Sequence, residues 1–206
     1  MNRSKLIKTG IRLEVLSVLW MAVEWIVAVY SGLAAHSLLL ISFGLDSLIE
    51  MGSGSVLIWR LRVEARGSDA SKVDEAERLS SRLVGWALIL LAFYTVVASL
   101  AHLLARHTAE TSFSGLALAI GSALFMPWLM VRKKQIARAI GSAALAEDAM
   151  CNLVCAYMAL TVILGTGLTA AFKWWWADSL FALVLVYFIF NEGWEALHPE
   201  EEESND

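Results

Sequence analysis

The chain has 206 residues, 58% of them hydrophobic and only 17% charged, and its mean hydropathy is +0.63. Soluble domains carry about 25% charged residues, so this composition excludes an ordinary soluble globule; thirteen glycines and two prolines exclude a disordered or fibrous chain. The formal net charge of −4 says little about partners, because the charges are segregated into particular connections.

A membrane-crossing helix needs about 20 mostly apolar residues. Six stretches meet that length, at 13–34, 37–59, 83–105, 113–131, 143–168 and 174–194. The predicted fold is all-α, a six-helix transmembrane bundle over residues 13–197, with an N-terminal flank at 1–12 and an acidic tail at 198–206. The flank is basic and leads into a full-length span with no small-residue cleavage site, so it is not read as a signal peptide. Two cysteines four residues apart in an apolar run argue against a secreted disulfide framework.

Span 1 carries Glu14 near its start, where water can reach it, and Glu24 in its middle, where it is either a proton relay or a packing hydrogen bond. Span 2 carries Asp46 and Glu50, one helical turn apart on one face. A helix-centre Asp costs roughly 2.5–3.5 kcal/mol on insertion. Two such groups would also repel each other; a divalent cation relieves both costs, and without metal at least one takes up a proton. Gly52, Ser53, Gly54 and Ser55 follow, small enough to let a neighbouring helix approach closely. His36, His102 and His107 stand at span ends and read as interfacial residues. Pro127 is expected to kink span 4.

Span 5 carries Asp148, Cys151 and Cys155, which share a face; Asn152 points off it. Two thiolates with two carboxylates make a four-coordinate shell suited to Zn²⁺, and sulfur biases a site toward softer metals. The plainer alternative is that buried cysteines are small apolar fillers. At about 1.5 Å per residue, counting from Arg60 and Arg138 puts Asp46 level with Cys151 and Glu50 level with Asp148, with Cys155 a turn farther out. That count leaves open whether Asp148 or Cys155 is the fourth ligand. In span 6, Trp174, Trp175 and Trp176 mark a membrane interface, Asp178 is expected to cap its own helix, and Asn191 and Glu192 are expected to be hydrated near the far end.

Fourteen lysines and arginines fall in the flank and connections of one side, and two, Arg106 and Lys173, on the other. The positive-inside rule then predicts both termini in the cytoplasm, here of a bacterial inner membrane. Nothing resembles a phosphate loop, a haem motif or a catalytic triad, and no nucleic-acid partner is expected.

The six-span plan, Leu45-Asp46-Ser47-Leu48-Ile49-Glu50-Met51-Gly52 and Trp176-Ala177-Asp178-Ser179-Leu180-Phe181-Ala182-Leu183 resemble the transmembrane domain of the cation diffusion facilitators. These are dimeric transporters of Zn²⁺ and other divalent metals, typically metal/proton antiporters. In the family, span 2 carries a carboxylate or His and a second Asp four residues on, which Asp46 and Glu50 match with Glu in place of Asp. Span 5 usually carries Asp, then His three residues later, then Asp four beyond. Here those positions are Asp148, Cys151 and Cys155, so the family's metal preference is not inherited with its register. A histidine-rich loop between spans 4 and 5 is missing, and the family's C-terminal metal-binding domain is expected to be absent. The resemblance implies a homodimer in the lipid bilayer that moves Zn²⁺, or Mn²⁺, Fe²⁺ or Cd²⁺, with no prosthetic group and no enzymatic activity. The metal would bind Asp46, Glu50, Cys151 and Cys155, with Asp148 as alternate and Glu24 as a proton-coupling group. The rival readings are a membrane thiol–disulfide oxidoreductase using Cys151 and Cys155, and a metal-binding membrane protein without flux.

Overall fold

A computed structural model describes the backbone at residues 3–65, 71–106 and 109–198, and side chains at 5–63, 82–106, 109–142 and 144–198. His107 and most of the acidic tail lie outside the described residues. Six helices follow in order: α1 (Arg3–Ala35), α2 (Leu38–Ala65), α3 (Ser71–Leu104), α4 (Phe113–Ile140), α5 (Ala143–Phe172) and α6 (Ala177–Leu197). Each holds a segment long and apolar enough to cross a membrane. Among the described residues there is no strand.

All six helices outrun the apolar stretches read from the sequence at one end or both. α1, α2, α3 and α4 continue into charged residues at the basic end of the bundle, because the i→i−4 backbone ladder is satisfied whatever the side chains' polarity. α6 differs at both ends. Lys173 takes a left-handed conformation (φ 52°) that closes α5, so Trp174–Trp176 form a turn and α6 begins at Ala177 and runs on to Leu197. α4 continues unbroken through Pro127.

The helix ends are specified locally. Ser112 Oγ accepts from the Gly115 N–H at 3.1 Å and Ser142 Oγ from the Leu145 N–H at 3.4 Å, which caps α4 and α5. Gly141, at φ 71°, ends α4 and leaves only Gly141 and Ser142 between α4 and α5. The opposite end stacks aromatics: Phe172 on Trp174 at 5.0 Å, Trp174 on Trp176 at 4.9 Å, and the Arg106 guanidinium 5.8 Å from the Trp175 ring. That suits a membrane interface, where amphipathic rings sit at headgroup level.

Asp178 is a correction to the sequence reading. It does not cap α6, whose first residue follows Trp176 with no side-chain cap. Its buried carboxylate instead accepts from Ser37 Oγ, from the Leu38 N–H at 2.9 Å and from the Leu39 N–H at 3.4 Å, capping α2. Unpaired N–H groups and the positive end of the α2 dipole draw the charge there.

α2 packs against α1, α3, α5 and α6. α1, α2, α5 and α4 form a closed ring of neighbours, and α3 pairs with α6 beside it. Close approach depends on missing side chains: a Cβ on Gly44 would stand 2.8 Å from Val29 Cγ2, and one on Gly85 2.9 Å from the Gly193 carbonyl. Leu19, Ile26 and Leu33 of α1 and Leu83, Leu90 and Phe93 of α3 are exposed. Such surface is a liability in water and is neutral against acyl chains. The polar side chains Glu14, Ser17, Glu24, Asp46, Ser122, Lys133 and Asn152 are instead fully or nearly fully buried.

Candidate metal centre

Three carboxylates converge inside the bundle. Asp46 and Glu50 come from successive turns of α2, and Glu192 reaches them from α6. One oxygen of each lies within 4.8 Å of the others. Asp46 is 1% exposed, Glu50 8%, and Glu192 is half-buried. Asp46 Oδ1, Glu50 Oε1 and both Glu192 carboxylate oxygens are buried without a hydrogen-bond partner. Buried acceptors without donors, carrying like charge at this separation, are unfavourable unless a cation or protons join them.

Cys155 of α5 adjoins the cluster at Glu50, its buried thiol donating to Glu50 Oε2 at 2.8 Å. The sequence-based depth count had set Cys155 a turn beyond the level of Asp46 and about two turns beyond Glu50. The discrepancy has a simple cause: Arg138 belongs to α4, and residues 138–142 run out to the hairpin and back. On α5 it is Leu145 that packs with Leu57 and Leu61 of α2, and Cys155 is as many residues beyond Leu145 as Glu50 is from Arg60.

The other residues singled out from the sequence lie apart from this cluster. Cys151 is exposed. The buried stripe of α5 runs through Leu145, Ala149, Asn152, Ala156 and Ala159, so Cys151 sits beside the inward face. Asn152, expected to point away, is fully buried and donates from Nδ2 to Ser17 Oγ at 3.4 Å. Asp148 is engaged by the Lys133 ammonium, which also lies 2.8 Å from Glu14 Oε2. Glu14 was expected to be solvated at an interface; it is fully buried, as is Lys133, because α1 and α4 continue as packed helices at this level. Glu24 is fully buried and accepts from Trp20 Nε1 at 2.9 Å and from Ser47 Oγ at 3.2 Å. Ser47 is the residue after Asp46, so Glu24 adjoins the cluster without belonging to it.

Glu192 is the functional candidate that the sequence reading missed, having assigned it to the hydrated end of span 6. α6 continues to Leu197, which keeps Glu192 inside the helix. The signal was present in the spacing: Glu192 follows Ile189 by three and Leu185 by seven on the buried stripe of α6.

Residues 15–199 of the chain match the family model described as the cation efflux transmembrane domain. No curated protein matches the chain.

Proposed function

Because the chain belongs to the cation efflux transmembrane domain family and is an integral membrane cation transporter, we propose that its cargo is a divalent metal held by Asp46, Glu50 and Glu192, with Cys155 as the sulfur ligand. The observation that carries this reading is the convergence of three carboxylates, each with a buried oxygen that has no donor. Three oxygens and one thiolate suit four-coordinate Zn²⁺, and the sulfur disfavours Mg²⁺ and Ca²⁺.

The ligand chemistry also supplies the coupling. The thiol must lose its proton to bind metal, and carboxylates protonated in the empty state must lose theirs. Metal binding then releases protons and metal release takes them up, the basis for proton antiport. Glu24, bonded to Ser47 beside Asp46, is the proposed relay for those protons. The charge asymmetry supports both termini in the cytoplasm. Of the two cysteines, one is exposed and the other buried against Glu50, which does not favour the oxidoreductase reading.

The test is uptake of radioactive Zn²⁺ into proteoliposomes under an imposed pH gradient. Wild type should accumulate metal, and Asp46→Ala, folded by size-exclusion chromatography, should not. Wild-type flux in Asp46→Ala would sink the site; absence of flux for Zn²⁺, Mn²⁺, Fe²⁺ and Cd²⁺ alike would sink the transport reading.

A further inference from the structure

Glu14, Lys133 and Asp148 form a second polar cluster where α1, α4 and α5 meet. One ammonium faces two carboxylates, so the formal charge of this buried group is negative. Glu14 and Lys133 are fully buried, and Glu14 Oε1 has no hydrogen-bond partner. A Cβ added to Gly54 would stand 2.7 Å from that oxygen, so Glu14 lies against the backbone of α2. Gly54 is one turn from Glu50 toward Arg60, which puts this carboxylate one turn nearer the basic end than the metal centre.

The space between the two clusters is polar as well. Asn152 is one turn from Asp148 and three residues from Cys155, and it bonds Ser17, one turn from Glu14. Its Oδ1 is buried and lacks a donor. Two orphaned acceptors beside an excess negative charge have the chemistry of a cation site and repel an anion.

We propose that Glu14 and Asp148, with Asn152 one turn along α5 from Asp148, form a second divalent-cation station between the basic end and the metal centre, and that Lys133 is the tethered cation that occupies it and withdraws when metal arrives. The inference builds on the transport reading of the deeper site. All its donors are oxygen, so unlike the Cys155 centre it admits hard and borderline divalent ions without preference for soft ones. Lys133 pairs with both carboxylates while the station is empty, which lessens the penalty of a bare buried pair.

The experiment measures Mn²⁺ binding to the purified full chain through the paramagnetic resonance of free Mn²⁺. The variant Asp46→Asn/Glu50→Gln/Glu192→Gln removes the deeper site and should retain one weak equivalent. Adding Lys133→Met should tighten it about tenfold or more, equal to ~1.4 kcal/mol. Adding Glu14→Gln and Asp148→Asn to that protein should abolish it. No tightening, or equal binding without Glu14 and Asp148, overturns the station. Failure of the deeper-site reading looks different: wild type and the three-carboxylate variant would bind Mn²⁺ alike. Since Lys133→Met exposes two buried carboxylates to each other and can unfold the protein, Lys133→Arg gives a second readout. Its guanidinium grips both carboxylates more firmly, so vesicle uptake should slow about tenfold at unchanged stoichiometry; unchanged uptake overturns the withdrawal of Lys133.

Discussion

The Cys155 thiol donates to Glu50 Oε2 across 2.8 Å, a contact that joins α5 to α2 at the level of the carboxylate cluster. In the proposed site these two residues would hold the metal through sulfur and oxygen, and the thiol would give up its proton to do so. On the proposed reading, affinity, selectivity and pH response would all meet at the contact between these two residues.

Selectivity is the first consequence. Cys155→Ser preserves volume and a donor to Glu50 but replaces a soft ligand with a hard one. Cd²⁺ affinity should fall about 10–100-fold while Mn²⁺ affinity changes by less than about threefold. Competitive binding on the purified protein measures both; equal losses for the two metals would remove Cys155 from the coordination shell.

Glu192 separates a three-helix site from a site made only by α2 and α5. Glu192→Gln keeps the shape of the side chain and removes its charge. Zn²⁺ affinity should drop by about 100-fold, or ~2.7 kcal/mol, with little change in thermal stability. An unchanged Kd measured by calorimetry would return Glu192 to a packing role.

The sign of the pH response follows from competition between protons and metal for the same atoms. The proposed ligands Asp46, Glu50, Glu192 and Cys155 would bind metal only when deprotonated, so affinity should weaken as pH falls. The slope should be about tenfold per pH unit for each proton displaced. Counting protons released on Zn²⁺ binding in weakly buffered solution checks it; zero release would contradict antiport at this centre.

Asp178 allows a control outside the metal centre. Asp178→Ala leaves the Leu38 and Leu39 N–H groups and Ser37 Oγ without their acceptor. The expected cost is about 1–2 kcal/mol, seen as a lowered Tm in detergent, with Zn²⁺ stoichiometry unaltered. A normal Tm would mean that water replaces the carboxylate at this helix end.

Residue type and order alone determined the number of helices, their membrane-spanning lengths and the exceptional status of Asp46 and Glu50. The reason is that a bilayer taxes every polar group in a 20-residue apolar run, so the α2 pair stands out without knowledge of its neighbours. Glu192, Glu14 and Lys133 escaped because each lies near the end of an apolar stretch, where sequence cannot separate a hydrated charge from a buried one. Only tertiary structure decided them: α1, α4 and α6 continue as packed helices past those stretches, and the lateral neighbours supply the burial. The partner of Glu50 was likewise a tertiary matter. Helical periodicity ranks the residues of α5 by face, but the two-residue turn at Gly141 and Ser142 sets the level at which that face meets α2. It thereby brings Cys155 to the carboxylates and leaves Asp148 to Lys133.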